Sequence, residues 1–143
     1  MNVLERLRKG VSTGSAEETR VLAAALPPKL PPEVALALHG EMGVGKTTFV
    51  QGLARGLGVA SAVTSPTFTV YTLYRGARLL AHLDAYRIET PEQAEALLVE
   101  DFLEPPYCLA IEWPDRISSW LPADAWHIDI GIAANRRHTF KLR

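Results

Sequence analysis

One cysteine, Cys108, in 143 residues excludes an internal disulfide and a cysteine-rich zinc site. No stretch approaches the run of about 20 apolar residues that a membrane span requires, and the opening segment MNVLERLRKG lacks the apolar core of a secretory signal. The expectation is a soluble, cytoplasmic protein. An excess of one charge is also missing: 15 basic and 16 acidic side chains leave a net charge of −1. A stand-alone nucleic-acid clamp would carry a basic surplus to displace counterions from phosphates. Repeats and low-complexity tracts are absent, and the proline pairs are too short to act as interdomain linkers. What is present is ordinary globular composition, 48% hydrophobic and 22% charged, which rules out intrinsic disorder. A chain of this size buries about 68–70% of its unfolded surface, so residues 1–143 are expected to form a single domain.

Ser15 and Glu18 stand at capping-box spacing before the helical pattern Thr19–Leu26, which Pro27-Pro28 and Pro31-Pro32 stop. Val34–Leu38 is a short apolar run with the bounds of a buried strand, and Thr48–Leu57 reads as a helix closed by Gly56 and Gly58. Alternation over residues 67–74 and 78–83, interrupted by Arg75-Gly76-Ala77, predicts two strands joined by a tight turn. Thr90-Pro91-Glu92-Gln93 opens a helix expected to run to about Phe102. Residues 107–111 form another buried strand, and residues 126–132 and 137–142 a terminal hairpin. Helices between strands, with two adjacent antiparallel pairs, predict an α/β fold with a mixed sheet.

The segment Gly40-Glu41-Met42-Gly43-Val44-Gly45-Lys46-Thr47 fits G-x-x-x-x-G-K-[ST] in full, between a predicted strand and a predicted helix. Its glycines permit backbone conformations that turn successive N–H groups toward phosphate oxygens at the positive end of a helix. Lys46 sets an ammonium against the β and γ phosphates, and Thr47 supplies a hydroxyl ligand to magnesium. The fold expected is therefore a three-layer P-loop NTPase with a mixed central sheet flanked by helices. Gly43 answers either to a crowded turn or to ligand contact, and Thr48 either to the helix surface or to ligand contact.

Phosphoryl transfer also needs groups to hold a divalent ion and to orient the nucleophile. Asp84 and Glu112 each end an apolar strand, where a parallel sheet delivers carboxylates to the ligand edge. Glu112 is assigned to magnesium with Thr47, and Asp84 to the attacking water, with exchange of the two roles left open. His82 shares a strand face with Asp84, although a lone histidine in an apolar strand is ordinarily a packed residue, and His39 more so. Arg87 reads as an arginine finger or an exposed loop residue, Thr67 in Ser65-Pro66-Thr67 as a γ-phosphate sensor or a strand-entry turn. Trp113 either covers the metal site, marks a partner surface or packs on Pro114.

The blocks GEMGVGKTT, SPTFTV, HLDAYR and EWP, in this order and with an early SAEETRVLA, resemble the TsaE family, small P-loop ATPases of bacterial tRNA threonylcarbamoyladenosine synthesis. The resemblance covers most of the chain and implies ATP as substrate with Mg2+. It also implies that Lys46 and Thr47 serve phosphates and metal, that Asp84 and Glu112 serve hydrolysis, and that Thr19 lies near the nucleotide base. The partners it implies are TsaB and TsaD, with tRNA engaged indirectly through that complex and neither DNA nor membrane involved. Phe68 departs from the family pattern, where tyrosine is common. Two rival readings share the loop: a small-molecule kinase, against which no arginine-rich lid is evident, and a binding module in which ATP only orders residues 65–69.

Overall fold

A computed structural model of the chain describes residues 1–41, 43–64 and 70–143. Along it run α1 (Val3–Lys9), β1 (Val11–Thr13), α2 (Ala16–Ala24), β2 (Glu33–His39), α3 (Lys46–Gly56), β3 (Tyr71–Arg75) and β4 (Leu79–Asp84). These are followed by α4 (Pro91–Ala96), β5 (Tyr107–Glu112), β6 (Trp126–Ile132) and β7 (His138–Leu142), with 3-10 turns at Pro27–Lys29, Val99–Phe102 and Pro114–Ile117. Among the described residues no helix is long and apolar enough to cross a membrane.

The strands form one sheet in the order β1-β7-β6-β2-β5-β4-β3. Its centre, β6-β2-β5-β4, is parallel, while β3 pairs antiparallel with β4, and β7 with both β6 and β1. This is the mixed α/β sheet that the sequence predicts. Strand alternation sorts the apolar side chains onto two faces. Leu36, Leu38, Leu80, Cys108, Ala110 and Ile128 join Leu22 of α2, Phe49 and Leu53 of α3, and Leu26 just past α2 in one core. Ala35, Ala81, Leu83, Leu109 and Ile111 meet Ala94 of α4 with Val99 and Ile117 in the other. Phe49 stacks on Phe140 at 5.5 Å between centroids, tying α3 to β7. Cys108 is wholly enclosed in the first core, where burial pushes its thiol up to about 12, as expected of a small hydrophobe.

Local chemistry explains the element ends. Ser15 Oγ accepts from Glu18 N, but the Glu18 carboxylate reaches back to Gly14 N at 2.5 Å, one residue beyond the usual capping box. Thr90 and Gln93 repeat this arrangement, Gln93 Oε1 accepting from Glu89 N at 2.7 Å. The helix expected to reach Phe102 is shorter, because Leu98 adopts φ +54° and breaks it into α4 and a 3-10 turn. Of the two glycines expected to close α3, Gly58 alone does so: at φ +72° it sits just past the Leu57 cap, with Gly58 N bonded to Arg55 O and Val59 N to Ala54 O. Gly56 lies inside the helix, where an added Cβ would come within 2.4 Å of Ala24 O on α2. Helix α1 and strand β1 had no sequence signal strong enough to predict them.

Candidate active site

Because β2, β4 and β5 run parallel, their carboxyl ends share one edge, and the register sets Leu38 and Asp84 each opposite Glu112. The loop leaving β2 at Gly40 turns into α3 at this edge. Gly40 passes close to β6: a Cβ there would lie 2.5 Å from Ile130 O and 2.7 Å from Val44 Cγ2. Gly43 takes φ +82° with nothing within 4 Å of a built Cβ, so the crowded-turn account of this glycine is wrong; its demand is conformational. Gly45 (φ +106°) caps α3 without a side-chain hydrogen bond, whereas α1, α2 and α4 are capped by Asn2, Ser15 and Thr90. The first turn of α3 therefore presents backbone N–H groups that no cap side chain satisfies.

A cavity of about 390 Å³ opens beside this turn. Gly43, Gly45, Lys46, Thr47 and Thr48 line it from the loop and α3, and Asp84, Tyr86, Glu112 and Trp113 from the ends of β4 and β5. Thr48 thus faces the cavity. The Lys46 ammonium is nearly buried, donates to Gly40 O at 2.6 Å and lies 3.7 Å from the Trp113 ring centroid. Burial lowers the proton affinity of Lys46, while Glu112, Asp84 and Glu41 act in the opposite direction.

Thr47 Oγ1 donates to Glu112 Oε2 at 3.1 Å, so the two proposed metal ligands meet. Hydroxyl and carboxylate oxygens are the hard donors that magnesium takes, together with water and substrate phosphates. Asp84 Oδ1 accepts from Tyr86 N at 2.9 Å. Its carboxyl is raised above the ordinary value, first by burial and then by the neighbouring Glu112, against the lowering effects of the Tyr86 N–H, His82 and Lys46.

Several candidates resolve differently. His82, wholly buried, touches Glu112 Oε2 through Nε2 at 2.5 Å and is therefore joined to the site. His39 instead pairs with His127, Nε2 to Nδ1 at 2.8 Å, as a structural contact. Arg87 is exposed on the segment after β4. Trp113 adopts φ +58° and tilts against Tyr86 with 5.1 Å between centroids, covering the cavity from the β5 end. Thr19 is buried outside the cavity lining, its hydroxyl 2.6 Å from that of Thr13. Glu41, within the loop, is exposed. Met42 and Thr67, with Ser65, Pro66 and Phe68, lie outside the described residues.

Sequence reasoning missed two contributors. His138 of β7 contacts Val44 O through Nδ1 at 2.7 Å and lies beside Gly45, bracing the loop from a strand that is remote in sequence. Tyr86 was visible only as a letter of HLDAYR, without a role.

Along most of its length the chain resembles known proteins. The family model described as threonylcarbamoyl adenosine biosynthesis protein TsaE matches residues 13–139. The chain is similar to the tRNA threonylcarbamoyladenosine biosynthesis protein TsaE of Bacillus subtilis, 36% identical over 124 residues that cover 86% of this chain and 77% of the relative. It is also similar to the protein of that name from Synechocystis, 43% identical over 94 residues covering 62% of this chain and 59% of the relative. The crystal structure of Bacillus subtilis YdiB matches with a TM-score of 0.75 at 32% identity, covering 92% of this chain and 81% of that one.

Proposed function

The chain belongs to the TsaE family of tRNA threonylcarbamoyladenosine biosynthesis proteins, and from that premise we propose that it is a magnesium-dependent ATP hydrolase. Its turnover supports threonylcarbamoyl transfer by TsaB and TsaD, in the cytoplasm, to the adenosine next to the anticodon. One observation carries this reading: the Thr47 hydroxyl meets the Glu112 carboxylate directly beside a helix N-terminus that no side chain caps. That places oxygen donors for a cation next to amide donors for an anion, the pairing a magnesium–triphosphate needs.

Each residue then has a task. The N–H groups of the loop and of the first turn of α3 hold phosphate oxygens, and Lys46 turns from Gly40 O and Trp113 to the β and γ phosphates. Thr47 and Glu112 would hold magnesium, which when bound neutralises charge on the β and γ oxygens. Asp84, whose burial raises its proton affinity, orients water and accepts its proton as the water oxygen bonds to the γ phosphorus and the bond to the β–γ bridging oxygen breaks. Trp113 and Tyr86 shield the reacting groups from bulk water.

The test is twofold. Purified protein should hydrolyse ATP only with magnesium, faster with TsaB and TsaD present. Deletion of the gene should deplete threonylcarbamoyladenosine from total tRNA measured by mass spectrometry. Unchanged levels remove the pathway role, and absent turnover removes the hydrolase.

A further inference from the structure

The Glu112 carboxylate is held from two sides by donors of different standing. Thr47 Oγ1 approaches Oε2 from the cavity wall at 3.1 Å, and His82 Nε2 approaches the same oxygen from inside the sheet at 2.5 Å. Glu112 is 4% exposed and His82 0%, so the carboxylate has little water to fall back on. A carboxylate only accepts, hence His82 Nε2 is the donor. The other ring nitrogen, Nδ1, is buried with no hydrogen-bond partner among the described residues, so nothing there competes for the orientation of the ring.

Register explains the reach. His82 lies opposite Ala110, not Glu112, and Asp84 lies opposite Glu112. The imidazole therefore crosses the ladder on the diagonal, over a neighbour whose side chain is a single methyl. Leu80, Cys108 and Leu36 on the same face are apolar and buried, so among the described residues that layer offers Glu112 no equivalent donor.

We infer that His82 is a positioning residue: its N–H fixes the Glu112 carboxylate so that Thr47 is free to exchange its bond to Glu112 for a bond to magnesium. The inference rests on reading the cavity as a magnesium–nucleotide site. If Thr47 were the only anchor, the step that recruits its hydroxyl to the ion would release the carboxylate meant to share that ion. The His82 bond lies behind the carboxylate and survives the exchange. Partners that orient a metal ligand in this way typically govern metal affinity by about 10–100-fold.

Two substitutions separate orientation from packing. His82→Gln keeps a donor at roughly the reach of Nε2, and His82→Asn keeps polarity and loses the reach. ADP binding is measured by calorimetry with Mg2+ and with EDTA, Mn2+ binding to the ADP complex by electron paramagnetic resonance, and folding by thermal melts. His82→Asn should bind ADP in EDTA like the parental chain yet lose about 10–100-fold of the gain that Mg2+ confers, with weaker Mn2+ binding. His82→Gln should retain most of that gain. The inference is overturned if the two variants show the same Mg2+ gain, or if affinity falls equally with and without the metal. A parental chain with no Mg2+ gain overturns the nucleotide reading itself, and this inference with it.

Discussion

The Lys46 ammonium rests 3.7 Å from the centroid of the Trp113 ring while one of its N–H groups donates to Gly40 O. Both contacts occupy the cation that the loop reserves for phosphate, and a cation–π contact is worth about 0.5–2 kcal/mol, small beside a charge-assisted bond to a triphosphate. Nucleotide should therefore draw Lys46 off the indole and change the emission of Trp113. The chain has three tryptophans, so the check is a titration with ATP in a Trp120→Phe/Trp126→Phe background. The response should persist there and vanish when Trp113→Phe is added in the parental chain. Lys46→Ala should abolish it together with measurable ATP binding.

Asp84 carries a pH signature. Burial is the first cause that raises its carboxyl above the ordinary value, so the folded chain holds this proton more tightly than the unfolded chain. Stability contributed by the protonated form is present below the unfolded carboxylate range, near about 3.9, and is lost as pH rises through the folded value. At neutral pH the ionised group is therefore a cost. Asp84→Asn should melt above the parental protein at neutral pH, with the difference closing on acidification, in scans without nucleotide or metal. The same variant should lose about 100-fold or more in ATP turnover, the usual exchange of stability for activity at a reacting group.

What was legible beforehand follows physical range. Short apolar runs placed β2, β4 and β5, and the acids that end the last two picked out Asp84 and Glu112, because burial and strand period are written locally. The loop was legible because its glycines answer a local backbone demand. His82 was not, since its bond to Glu112 exists only once β4 and β5 are in register and Ala110 is known to stand between them. Leu98 hid the end of α4 because a leucine at φ +54° leaves no compositional mark. Strand β1 is three residues long and owes its existence to its pairing with β7, remote in sequence, and to Arg137 just before that strand, which donates to Ser12 across 125 residues. The brace from His138 to Val44 was invisible for the same reason.

The loop glycines should not be equivalent. At Gly40 an alanine would press on the backbone oxygen of Ile130 at 2.5 Å and on Val44, and backbone has no rotamer by which to yield. At Gly43 the space is open and only the left-handed conformation resists, which costs about 1–2 kcal/mol for a residue with a Cβ. Gly40→Ala should thus displace the loop and eliminate ATP binding along with much of the thermal stability. Gly43→Ala should stay folded and bind ATP more weakly. Melts and calorimetry on both decide it, and equal losses would contradict the contact geometry.

Packing, more than charge, holds the helix that carries Lys46 and Thr47. Helices α2 and α3 approach so closely that a Cβ at Gly52 would lie 2.6 Å from both Ala23 Cβ and Arg20 O, and one at Gly56 would lie 2.4 Å from Ala24 O. The same interface carries the exposed pair Arg55–Glu17 at 2.7 Å, in which the Arg55 hydrogen bond holds the Glu17 carboxyl below its usual value. Both side chains of that pair are exposed to solvent, and such surface pairs contribute little. Overpacking a close interface costs about 1–3 kcal/mol, and pushing α3 outward would also move the first turn away from Glu112. Gly52→Ala should therefore lower both the melting temperature and the affinity for ATP, although residue 52 lies outside the cavity lining. Glu17→Gln should leave both where they are. If the charge variant proved the more damaging of the two, close backbone approach would not be what fixes α3 against α2.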